Sequence, residues 1–75
     1  MRGAVVEVRE TEKGYAYRFP PDEARIEGLA ELINLERQCC PFLRFSLTIE
    51  PGGGPLWLEL SGPEGTKDFL ADLFD

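Results

Sequence analysis

Histidine is absent from the chain. That removes the side chain that most often titrates near neutral pH, serves as general base and binds metals. Clustered positive charge is also lacking. Lys and Arg number 8 against 14 Asp and Glu, for a net charge of −6. The arginines from Arg9 to Arg37 are interspersed with carboxylates and form no patch, so neither nucleic acid nor an anionic membrane surface is an expected partner. No apolar run approaches the ~20 residues of a membrane-spanning helix. The first carboxylate, Glu7, comes too early for the apolar core of a signal peptide. The expected location is therefore cytoplasmic, where thiols are kept reduced. Asn and Gln occur once each. Scarcity of thermolabile amides is a trait of heat-adapted proteins, and the expected source is a thermophilic or GC-rich bacterium.

What remains is the composition of one small globular domain spanning residues 1–75, with 43% apolar and 29% charged residues. A chain this short buries only about 60% of the surface its unfolded form exposes. Disulfides, metals or self-association are the usual supplements to so thin a core.

Hydrophobic periodicity divides the chain into two similar halves. Ala4, Val6 and Val8 alternate with Val5, Glu7 and Arg9, and Tyr15, Tyr17 and Phe19 again fall two apart. A polar Gly-containing turn between them predicts a hairpin. Pro20-Pro21 stops the second strand, and Asp22 is placed to cap a helix. The apolar residues Ile26, Leu29, Ala30, Leu32, Ile33 and Leu35 cover a wide arc of that helix. Pro41 ends it at or just before Cys40. A second hairpin follows, with Leu43, Phe45, Leu47 and Ile49 alternating inward, a Pro51-to-Gly54 turn, and Leu56, Leu58 and Leu60. Thr66 is the expected cap of a last short helix carrying Phe69, Leu70, Leu73 and Phe74. The order β-β-α-β-β-α predicts an α+β two-layer sandwich: a four-stranded, mainly antiparallel sheet with two helices on one face. Trp57 then points away from the helices.

The constellation with chemistry is Cys39-Cys40, at the end of the first helix. Glu36 lies three and four residues before the two thiols, so its carboxylate can reach either of them. An intact last turn separates the sulfurs by about 100°; unwinding before Pro41 lets them converge on one ion. Thiolates favour soft metals such as Zn(II), Cu(I) or Hg(II). A bond between adjacent cysteines closes a strained ring, which argues against a structural disulfide. A helix carboxyl end and Glu36 both raise a thiol pKa, unless Arg37 or Arg44 compensates, so nucleophilic or redox catalysis ranks third.

Two readings stay open. In the first, Cys39 and Cys40 form a non-enzymatic module that binds or senses a soft metal, with Glu36 as neighbour or third ligand. In the second, both cysteines pack as small hydrophobes, in a homodimerising or protein-interaction domain with Trp57 at the contact surface. A homodimer is the expected assembly, given the thin core and exposed strand edges.

The pattern Glu36-x-x-Cys39-Cys40-Pro41-Phe42-x-x-Phe45, followed by a Gly-rich hairpin and Gly62-Pro63-x-Gly65-Thr66, resembles a group of short bacterial proteins of unknown function. The resemblance runs from Leu29 to Phe74. Some of these proteins sit beside heavy-metal resistance determinants, and the resemblance therefore implies a soft-metal role and no defined enzymatic activity.

Overall fold

A computed structural model describes residues 5–74, except for the side chains of Leu73 and Phe74. Ala4, expected on the inner face, lies outside the described residues. The elements follow the predicted order: β1 (Glu7–Glu10), β2 (Gly14–Phe19), α1 (Glu23–Cys39), β3 (Arg44–Ile49), β4 (Leu56–Ser61) and α2 (Thr66–Phe74). No described helix is long and apolar enough to cross a membrane.

All neighbouring strands are antiparallel, in the order β1-β2-β4-β3. Helix α1 carries the chain from β2 across β4 to the far edge, so β2 and β3 run parallel with β4 between them. The central pair supplies the core. Leu56, Leu58 and Leu60 of β4 stand beside Phe19, Tyr17 and Tyr15 of β2. Of these, all but Tyr15 are buried. Leu29 from α1 and Leu70 from α2 join the same cluster, so both helices cover one face.

Local chemistry explains the boundaries. The Asp22 carboxylate accepts from the Ala24 amide at 2.9 Å and caps α1. Gly52 and Gly53, at φ of 67° and 72°, make the β3–β4 turn in a conformation open to glycine. Helix α2 begins differently from the expectation. Gly65, at φ 95°, precedes it, and its carbonyl accepts from the Phe69 amide at 3.2 Å. Thr66 is buried instead of capping, and its hydroxyl has no hydrogen-bond partner among the described residues.

Two further expectations are corrected at the sheet edges. Glu7 is the register partner of Arg18, yet the Val6 amide also donates to the Arg18 carbonyl, at 2.8 Å. Two residues therefore oppose one, as in a β-bulge, and the alternation slips by one position. Val5 packs against the core, while Val6 is 53% exposed. Val8 and Ile49 do share the inner face with Tyr17 and Leu56, but each lies on an edge strand beyond the helices and is more than half exposed.

Candidate thiol site at the end of the first helix

Helix α1 stops at Cys39 because Pro41 cannot follow a helical residue comfortably. The Cys40 amide still donates to the Glu36 carbonyl at 2.7 Å, but Cys40 itself leaves the helix with φ −125° and ψ 73°. The next residues turn at once: the Leu43 amide donates to the Cys40 carbonyl at 3.1 Å. This break gives the adjacent cysteines different surroundings. Cys39 is exposed, and Cys40 is buried in the core cluster. Both are free thiols.

The two thiols nevertheless influence each other's protonation. Burial pushes the Cys40 thiol above its ordinary value of 9.0, and the neighbouring Cys39 and the charge of Glu36 push it further the same way. Neither candidate arginine offsets this. The Arg37 guanidinium donates to the Asn34 side chain at 3.1 Å. Arg44 pairs with Ser61 in the sheet and is exposed. Cys40 is thus a protonated, poorly nucleophilic thiol at neutral pH.

Glu36, expected as neighbour or third ligand, acts on Cys40 through its charge. Among the described residues, no group of three or more Cys, Asp and Glu side chains is placed to hold a metal ion. The non-helical backbone of Cys40 accounts for this, because an i, i+4 stripe aligns side chains only while the helix lasts.

The sequence reading missed what holds the turn in place. Phe42 meets Phe69 of α2 edge-to-face, with ring centroids 5.3 Å apart. Gly62, after β4, lies beneath: a Cβ there would fall 2.5 Å from the Thr66 hydroxyl and 3.2 Å from the Phe42 carbonyl. The Gly62-Pro63 signal marked a strand end, but nothing in it announced a close approach to the cysteine turn.

Trp57, the other candidate, does face away from the helices, flanked by Arg18 and Thr48. It is half-buried, and the Arg9 guanidinium lies 4.7 Å from its ring centroid.

No family model, no curated protein and no solved structure matches this chain.

Proposed function

We propose that Cys39 and Cys40 capture a single soft, thiophilic metal ion as a two-sulfur site, and that the protein serves as a non-enzymatic binding or sensing module in the cytoplasm. The placement of the two thiols carries this reading: they follow one another where α1 ends, Cys39 open to solvent and Cys40 at the core. A soft ion tolerates two sulfur ligands, whereas a stable zinc site requires about four donors. Cu(I) and Hg(II) therefore fit better than Zn(II). Glu36 contributes charge beside the site without completing a ligand set.

Each captured ion displaces thiol protons, so affinity rises with pH. The exposed Cys39 makes first contact, and binding is completed when Cys40 releases its proton to solvent and its thiolate coordinates the same ion. The test is titration of the reduced protein with Hg(II), Cu(I) and Zn(II), read by native mass spectrometry. Wild type takes up the soft ions, and the Cys39→Ser/Cys40→Ser variant does not. Equal uptake by both proteins overturns the reading.

A further inference from the structure

The two edges of the sheet differ in kind. Strand β1 is four residues long, begins beside the Val6–Glu7 bulge, and carries Glu7, Arg9 and Glu10. Short length, charge and a bulge are the usual devices that keep an edge from pairing. Strand β3 is longer, and its one charge is Arg44 at its first position. It runs six residues as Arg-Phe-Ser-Leu-Thr-Ile, with no proline, lysine or carboxylate, and Phe45, Thr48 and Ile49 are residue types that suit a pleated ladder.

We propose that β3 pairs antiparallel with β3 of a second copy about a two-fold axis at Leu47, extending the sheet across the dimer. The available backbone groups select this register. The Glu50 amide donates to the Pro55 carbonyl at 3.3 Å, which continues the β3–β4 register by one residue. Alternation along an antiparallel ladder then turns the amides of Thr48, Ser46 and Arg44 toward β4, and those of Phe45, Leu47 and Ile49 toward the open edge. Centring on Leu47 sets Leu47 against its own copy and Phe45 against Ile49 of the second copy, both as hydrogen-bonded pairs. Every outward amide of β3 gains a partner.

The same register matches the side chains. On the outer face, Ser46 stands opposite Thr48 of the second copy, and Arg44 opposite Glu50 of the second copy. Arg44 and Glu50 are both exposed, and among the described residues neither takes part in an ion pair within its own chain. On the helix-bearing face, Ile49 is 55% exposed although its alternation points it inward; a neighbouring Phe45 gives it cover. Opposite charges, paired hydroxyls and aromatic–β-branched neighbours are all favourable cross-strand partners. A one-residue slip would put the outer face of one copy beside the helix face of the other. This assembly does not depend on the thiols.

Sedimentation equilibrium from micromolar to submillimolar concentration tests the pairing, with amide hydrogen exchange to locate it. The dimer is expected to protect the Phe45, Leu47 and Ile49 amides in a concentration-dependent way, while the Ser46 and Thr48 amides are protected at every concentration. Arg44→Glu and Glu50→Arg each set like charges opposite one another twice per dimer. Each weakens association on the order of tenfold, and the double exchange Arg44→Glu/Glu50→Arg restores it. Both positions are exposed, so circular dichroism should report an unchanged fold. A monomer throughout that range, or a dimer in which the double exchange is no tighter than the single variants, overturns the proposal.

Discussion

The guanidinium of Arg9, on edge strand β1, lies 4.7 Å from the ring centroid of Trp57, on central strand β4. Between those strands, the register partner of Arg9 is Ala16, whose small side chain leaves the path open. Glu7 anchors both arginines of this face, accepting from Arg9 at 2.7 Å and from Arg18 at 2.9 Å. The outer face is thus tied across three strands. Arg9→Ala should lower stability by about 0.5–1 kcal/mol, the range for an exposed cation–π contact, and should shift the Trp57 emission. Chemical denaturation and fluorescence check both. Unchanged emission would mean that the arginine does not cover the ring in solution.

Gly14 opens β2 where the backbone of β4 passes closest. A Cβ there would lie 1.8 Å from the Leu60 carbonyl oxygen and 2.8 Å from the Ser61 Cα. The obstruction is backbone, not a flexible side chain, so β2 and β4 must separate to relieve it. Gly14→Ala is expected to cost more than the ~1–3 kcal/mol typical of an overpacked core, whereas Gly28→Ala, where nothing lies within 4 Å, should be neutral or stabilising. Thermal melts of the two variants should fall on opposite sides of wild type or nearly so.

Much of this architecture is legible in the sequence, and the parts that are not share a physical reason. Leu56, Leu58 and Leu60 read correctly because β4 is a central strand, and strict alternation then follows burial. Val6 misreads because a bulge is a backbone event that leaves no mark on the apolar pattern. Ile49 misreads in a different way: its face is right, but helix coverage stops short of the edge. The strand order sets Arg9 near Trp57, and it depends on the path of α1 over β4, which no local pattern encodes. At the cysteines, adjacency and Pro41 indicated a helix end. The division into one open and one buried thiol rests on the dihedral angles of Cys40 and on the packing of α2, and both are tertiary.

Stability should respond to pH at both extremes. Burial raises the Cys40 thiol above 9.0, and burial with the nearby Tyr15 pushes the Tyr17 hydroxyl from 10.0 up to about 12. Raised folded-state values mean that these groups contribute stability fully present below their unfolded pKa values. It is lost as pH rises past 9 for the thiol, and between 10 and about 12 for the phenol. Glu7 works in the opposite sense. Hydrogen bonds from Arg9 and then Arg18 hold its carboxyl below 4.5, so its contribution is present above 4.5 and fades as the pH falls through the depressed value. Cys40→Ala should flatten the alkaline limb near pH 9, and Glu7→Gln the acid limb. Urea midpoints from pH 2 to pH 11, in steps of about one unit, would show either limb unmoved if these groups were not responsible.

Phe69 pins the turn that carries the thiols through its edge-to-face contact with Phe42. Phe69→Ala removes that contact and leaves Cys40 less shielded. The expected loss is about 3 kcal/mol or somewhat less than a fully buried aromatic would give, since Phe69 is only partly buried. The informative readout is chemical. Cys40 should gain reactivity toward a neutral alkylating reagent by more than global unfolding explains, while the exposed Cys39 should react as fast as in wild type. Mass mapping of the modified peptide distinguishes the two positions. Equal acceleration at both would show general loosening and no specific role for the aromatic pair.

Dimer geometry and thiol chemistry together constrain the metal count. In the proposed assembly the axis passes at Leu47, while each Cys40 precedes the opposite end of its own β3. The two thiol pairs therefore sit at opposite ends of the β3–β3 ribbon, separated by roughly the length of a six-residue strand, about 20 Å. One ion cannot be shared between them. The expected stoichiometry is one soft ion per chain, independent of protein concentration, and X-ray absorption on the Hg(II) form should report a shell of two sulfurs. A shell of four sulfurs, with one ion per pair of chains, would require the copies to meet at the cysteine turn instead. Arg44→Glu discriminates further: it should weaken dimerisation and leave the ion count per chain unchanged.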